Sequence, residues 1–265
     1  MPTAAGGALP TTRPPSGLVC PALMAASALL VAARRRLALF GRWPVEARHI
    51  EPSLAVPVAG APSPRLLDVA VRAVDAARAV DLRWLTARGP DGFVDVWPGE
   101  HYKLLTALVA VLRPTTIVEI GTATGMSALA MKSALGVDAR IVTFDVLPWR
   151  GYKGGVLDDG DFADGRLEQR VDDLSTDAGR RANVETLRSA ELIFVDAKHD
   201  GAQEREFVRG FQEVGLANGP IVVFDDIRMW GMLGFWQEIA RPKLDLTSFG
   251  HWSGTGLVDY AEPSS

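Results

Sequence analysis

Cysteine is almost missing from this chain: among 265 residues the only one is Cys20. That excludes a disulfide framework and a cysteine-rich zinc site, and it makes a reducing cytoplasm the natural setting. Positive charge is not in excess either. A formal net charge of −4 leaves no global basic surface to hold nucleic acid. A membrane span needs about 20 apolar residues, and residues 18–33 (LVCPALMAASALLVAA) fall short of that. Arg34, Arg35 and Arg36 follow this run, whereas a secretory signal carries its positive charge in front. No internal repeat is present, and no G-x-G-x-x-G turn of the nicotinamide-binding kind.

What is there is apolar. Hydrophobic residues make up 48% of the chain, enough for one large α/β domain with an extension. Residues 1–17, rich in Pro, Gly, Ala and Thr, read as a disordered tail. Residues 18–33 read in two ways. One is a helix packed on the domain or on a second subunit, as in a homodimer. The other is a membrane-surface helix whose arginines sit at the headgroups, a peripheral contact through residues 18–36. The chain therefore divides into a tail and apolar N-terminal helix (1–62) and a main domain (63–265).

Within that domain Ser63-Pro64 reads as an N-cap and first helical residue, opening a helix to Trp84 with Leu67, Val71, Val74 and Leu82 among its apolar positions. Residues 91–100 read as a loop and 101–112 as a helix stopped by Pro114. Strands and helices then alternate. Strands are expected at 116–120, 140–145, 167–171, 191–196 and 220–225, helices at 127–135, 178–189, 203–214 and 229–240, and two last strands at 244–249 and 256–260. The central strands are continuous apolar runs such as LIFV and IVVF, the mark of a parallel sheet covered on both faces. The last two strands are joined too closely for a parallel crossover and must be antiparallel. The expected fold is thus Rossmann-like: seven strands, mostly parallel, with a C-terminal antiparallel pair, helices on both faces and an N-terminal helical extension. Residues 148–164 form a long Gly/Asp-rich loop of the kind that often carries function.

Chemistry concentrates at the strand ends. Glu119-x-Gly121-Thr122-x-x-Gly125 follows the first apolar strand. Glycines permit a sharp turn and close approach of a ligand to the backbone, and the next helix N-terminus favours an anion. Ser127 there either caps the helix or meets a ligand carboxylate. Asp145 ends the second strand about two dozen residues later, where an acid can accept both ribose hydroxyls of an adenosine cofactor. Asp172 and Asp173 end the third strand, placed to meet an adenine amino group or to cap a loop. Asp196, Asp225 and Asp226 end the fourth and fifth strands, which line the ligand crevice of such a sheet. Three carboxylates there repel one another, and some stay protonated unless a cation neutralises them. A hard divalent ion, Mg²⁺ first, meets that need.

These segments, with VDAKHDG (195–201) and FDD (224–226), resemble the class I S-adenosylmethionine-dependent O-methyltransferases, in particular the catechol O-methyltransferase-like and bacterial sugar or macrolide-sugar enzymes. The resemblance runs from about Trp97 to Tyr260. It implies that Glu119, Gly121, Thr122, Gly125, Ser127, Asp145, Asp172, Asp173 and Asp196 hold S-adenosylmethionine. It implies Mg²⁺ on Asp196, Asp225 and Asp226, although some relatives with such motifs bind no metal. A lysine three residues after the first aspartate is the general base of the catechol-type relatives. Here that position is His199, with Lys198 beside it. Glu100, His101 and Tyr102 match a segment over the methionine end of the cofactor. Trp149, Tyr152 and Trp230 are candidate walls of an acceptor pocket, and Arg228 either holds an acidic acceptor or pairs with the two aspartates. The expected activity is methyl transfer to a hydroxyl of a sugar or secondary metabolite. Two other readings stand beside it: a metal-free or nitrogen-directed methyltransferase, and a non-catalytic module that binds an adenosine ligand.

Overall fold

Successive side chains of a strand point to opposite faces of a sheet, and that alternation accounts for the apolar runs. In the structure, a computed structural model describing residues 60–89, 101–250 (His101 by its backbone alone) and 252–261, five strands run parallel. They are β1 (Thr116–Ile120), β2 (Arg140–Asp145), β3 (Leu167–Val171), β4 (Leu192–Val195) and β5 (Ile221–Asp225). Ile117, Ile141, Leu192 and Ile221 lie in register and face one layer. Their neighbours Val118, Val142, Ile193 and Val222 face the other.

The first layer comprises α1 (Pro64–Ala77), α2 (Arg83–Thr86), α3 (His101–Leu112) and α4 (Met126–Ser133). The second is built from α5 (Asp177–Ala182), α6 (Val184–Ser189), α7 (Ala202–Val214) and α8 (Met232–Glu238). Phe207 and Phe211 on α7 are fully buried against it, each worth about 1.5–3 kcal/mol of burial. β6 (Lys243–Asp245) and β7 (Thr255–Asp259) close the sheet, whose order is β3-β2-β1-β4-β5-β7-β6 with β7 antiparallel to both neighbours. The fold is the seven-stranded, mostly parallel Rossmann-like sheet that the pattern predicts.

Some boundaries differ. The expected helix from Ser63 to Trp84 ends at Ala77, and α2 is separate. The second helix has its own start: Asp81 Oδ1 accepts from the Arg83 N–H at 3.0 Å, a local bond that opens a new turn. The α1 start is as expected, with Ser63 Oγ accepting from the Leu66 N–H. The same hydroxyl donates to Asp259, which also receives Arg65, so α1 is tied to the end of β7. The helix at 178–189 is two helices broken at Asn183, whose amide donates to Asp172 Oδ2 and to the Gly179 carbonyl. β6 stops at Asp245, because that carboxylate turns back onto Thr247.

The tail, the apolar run 18–36, Glu100 and the His101 side chain lie outside the described residues. Among the described residues no helix is long and apolar enough to cross a membrane.

Candidate active site

The strand order reverses between β1 and β4, and a crevice opens at their carboxyl ends. There the backbone of Gly121 crosses Asp196 so closely that a Cβ on Gly121 would stand 1.7 Å from the Asp196 carbonyl oxygen. Gly121 also has φ +103°, a left-handed value that glycine adopts at no steric cost. A cavity of about 340 Å³ opens beside this crossing, lined by Gly121, Ala123, Asp145, Tyr152, Asp172, Asp173, Asp196 and Lys198 among others.

Asp145 is held ready at the rim. Its Oδ2 accepts from the Ala123 N–H at 2.9 Å and its Oδ1 from the Leu147 N–H at 3.0 Å. Asp172 and Asp173 line the cavity and also brace their loop, accepting from the N–H groups of Asp173 and Ser175 respectively. The two readings of these acids therefore coexist.

Glu119, Thr122, Gly125 and Ser127 stand behind the turn, outside the cavity wall. Gly125 caps α4 with φ +84°, and the Leu157 side chain fills the space where its Cβ would be. Ser127 donates to Glu119 Oε1 at 2.6 Å, and Thr122 pairs with Thr143. Glu119 is fully buried, and its Oε2 has no hydrogen-bond partner. Burial pushes its carboxyl up to about 8, against the hydrogen bonds from Ser127 and Thr143 and with the help of the Asp196 and Asp145 charges. It is a neutral acid at pH 7, a form that tolerates an unpaired oxygen better than a carboxylate does.

This has a measurable consequence. The folded protein keeps a proton on Glu119 that the unfolded chain has already released, so stability falls as pH rises between those two values. Between pH 5 and pH 8 the loss is on the order of 3 kcal/mol. Glu119→Gln keeps the shape and cannot titrate. Urea unfolding at both pH values is expected to show that decline in the parent protein and not in the variant. Identical pH profiles would mean that Glu119 is ionised when folded.

At the ends of β4 and β5 the acids meet as the apolar runs require. Asp225 and Asp226 are buried and Asp196 partly so. His199 lies among them: Nε2 is 3.0 Å from Asp196 Oδ1, and Nδ1 is 3.4 Å from Asp226 Oδ2. The Nε2 contact is close but is not aligned as a hydrogen bond. Burial lowers the His199 pKa, but the adjoining carboxylates of Asp196, Asp226 and Glu204 outweigh it and leave it raised. Asp196, His199 and Asp225 each offer a ligand atom, all within 4.8 Å of one another.

Two groups that hold this cluster have no counterpart in the strand-end motifs. Glu204, fully buried on α7, accepts from the His199 N–H at 2.9 Å and the Gly201 N–H at 2.8 Å. It fixes His199 at φ +57°. Its sequence signal is a glutamate three residues after a glycine that opens a helix. Ser253, in the connection before β7, donates to Asp226 Oδ1; nothing local in the sequence marks it.

The remaining candidates are placed as follows. Lys198 is exposed and paired with Asp200 at 2.9 Å, whose carboxylate raises its pKa. It is held protonated and is unsuited to accept a proton. Arg228 is bound to Asp245 at 2.6 Å and to Thr247, not to the aspartate pair. Its guanidinium takes the carboxylate that ends β6, and the expected pairing with Asp225 and Asp226 is corrected accordingly. Trp149 stacks on Phe162 with centroids 5.3 Å apart and packs on the core, while Tyr152 lines the cavity. Trp230 is largely exposed, and Tyr102 packs against the core.

The 148–164 loop is clamped onto the glycine turn. Val156 N–H donates to the Thr124 carbonyl at 2.8 Å. Arg88 donates to the Val156 carbonyl, to Asp158 and to both oxygens of Asp161, all within 2.8 Å. Lys132 holds Asp164 at 2.9 Å.

Residues 118–227 match a family model described as a methyltransferase domain. Tricin synthase 2 of Oryza sativa subsp. japonica is 29% identical over 160 residues, which cover 57% of this chain and 50% of that enzyme; the chain thus spans half the length of this curated relative. Among solved structures, a methyltransferase from Geobacter sulfurreducens covers 87% of this chain and 97% of its own, with 16% identity and a TM-score of 0.48. The O-methyltransferase TomG from Streptomyces achromogenes is 22% identical, covers 73% of this chain and 89% of its own, and has a TM-score of 0.45. The segment from 118 to 227, which holds the glycine turn and the acids at the ends of β2, β4 and β5, thus matches a methyltransferase domain and lies on a sheet with the reversed order of a Rossmann-like fold.

Proposed function

We propose that the protein transfers a methyl group from S-adenosylmethionine to a hydroxyl of a small-molecule acceptor, a sugar or other secondary metabolite, beside a divalent cation at the strand-end cluster. The observation that carries this reading is the shared cavity. Asp145, which suits a ribose, and Asp196, which belongs to the acid–imidazole cluster, line the same space on either side of the Gly121 crossing. A nucleoside held by the first acid brings its reacting end toward the second.

The donor set fits a cation, since two carboxylates and an imidazole converge within 4.8 Å. Bound there, a divalent ion would polarise the acceptor hydroxyl and lower its pKa. The chain's own residues do the positioning. Asp145 and the turn at Gly121–Ala123 orient the nucleoside, and Ile120, Phe144 and Phe207 supply the apolar part of the cavity wall. A sulfonium methyl needs no activation by the protein, so holding the acceptor oxygen in line accounts for much of the acceleration. Proton removal falls to the strand-end cluster, because Lys198 at the rim is already protonated and paired.

The test is methyl transfer to a library of hydroxyl acceptors. Asp225→Asn lies outside the cavity wall and is expected to leave S-adenosylhomocysteine affinity unchanged. The rate should fall roughly 100-fold, the size of a lost Lewis-acid contribution, and EDTA should do the same to the parent protein. Transfer that survives both treatments favours the metal-free reading. Tight S-adenosylhomocysteine binding with no methylation of any acceptor favours the non-catalytic one.

A further inference from the structure

We propose that His199 is a metal ligand rather than the general base, and that the site accordingly selects a transition-series divalent cation of the Mn²⁺ or Co²⁺ kind over Mg²⁺. The proposal rests on the metal-assisted reading above and assigns its third ligand to nitrogen.

Four features point the same way. First, the atoms that converge are those of Asp196, His199 and Asp225, so the imidazole takes the third place that the motif gives to Asp226. Second, His199 Nε2 is buried and makes no aligned hydrogen bond, although it stands 3.0 Å from Asp196. The imidazole and the carboxylates of Asp196 and Asp225 thus offer ligand atoms within reach of one ion. Third, Nδ1 faces Asp226 Oδ2 at 3.4 Å, and Asp226 is itself anchored by Ser253. A proton on Nδ1, toward that carboxylate, would leave the Nε2 lone pair for an ion, the arrangement that commonly orients metal-bound histidines. Fourth, the backbone is preset. His199 and Asp226 both have left-handed φ values, +57° and +56°, and Glu204 binds the His199 N–H. Strained positions of this sort persist where the surroundings over-determine them.

Nitrogen in the donor set changes the ion. Mg²⁺ prefers oxygen donors and keeps several waters, whereas imidazole suits later first-row metals, for which affinity rises from Mn²⁺ to Co²⁺. A base would also need its accepting nitrogen open to the acceptor, and Nε2 is enclosed.

The experiment uses the full chain, dialysed against EDTA, and measures cation binding directly by calorimetry and by the visible absorption of bound Co²⁺. S-adenosylhomocysteine affinity serves as the folding control. Co²⁺ is expected to bind at least about 30-fold tighter than Mg²⁺. His199→Ala should lose at least about 10-fold of the Co²⁺ affinity with altered absorption, and Asp226→Asn about 10-fold by releasing the ring. Mg²⁺ binding as tight as Co²⁺, or unchanged Co²⁺ affinity and spectrum in His199→Ala, overturns the assignment and leaves the O-methyltransferase reading in place. Failure of the parent protein to bind any cation while it still binds S-adenosylhomocysteine overturns both this assignment and the metal part of the proposed function.

Discussion

Asp145→Ala is expected to weaken S-adenosylhomocysteine binding by more than about 100-fold, with little change in stability. That size follows from the two ribose hydroxyls that the proposed function assigns to the carboxylate, each worth about 1.5–3 kcal/mol as a hydrogen bond to a charged group. Every 1.4 kcal/mol is about tenfold in affinity. The side chain is already positioned by the N–H groups of Ala123 and Leu147, so binding need not order it. Asp145→Asn keeps the shape but has one acceptor oxygen in place of two and no charge, and an intermediate loss of about tenfold is expected. Calorimetric titration of the three proteins decides the matter. An alanine variant within about threefold of the parent would remove the nucleoside from this cavity.

The second large effect concerns the backbone. Gly121→Ala is expected to cost at least about 3–5 kcal/mol of stability, and what remains folded should bind no cofactor. The added methyl would overlap the Asp196 carbonyl oxygen, at 1.7 Å, and that group cannot rotate away as a side chain would. Relief requires the ends of β1 and β4 to separate, and with them the two walls of the site. Gly154 supplies the control. It too has a left-handed φ, +85°, but nothing lies within 4 Å of the point where its Cβ would stand, so Gly154→Ala should cost only about 1–2 kcal/mol. Urea unfolding of both variants compares a clash with a purely conformational penalty. Equal losses would show that the crossing at Gly121 is looser than the structure has it.

The sheet was readable in the sequence because each central strand is buried on both faces, and such strands announce themselves as unbroken apolar runs. The residues that tighten the site were not readable in that way. Ser253 reaches Asp226 across 27 positions of chain, and its segment carries no pattern that betrays the contact. Helix boundaries depart from the periodicity where a short polar side chain bonds nearby backbone, as Asp81 does at Arg83 and Asn183 at Gly179. Periodicity describes faces, and a single side-chain bond can stop a helix without disturbing it. The acids themselves were foreseeable, since Asp145, Asp196 and Asp225 end apolar strands or follow them directly. The division of labour among them was not. That Asp226 stands behind the imidazole depends on the left-handed turn at His199, which is set by Glu204.

The clamp centred on Arg88 has a bearing on engineering. Its guanidinium is donated by a helix-end segment 60 or more positions upstream of Val156, Asp158 and Asp161, the residues it grips. A chimera that imports only residues 146–164 from a relative would therefore arrive without its fastening. Donor and recipient would have to be matched at position 88 as well, so the transplantable unit is discontinuous: a loop together with one distant cation.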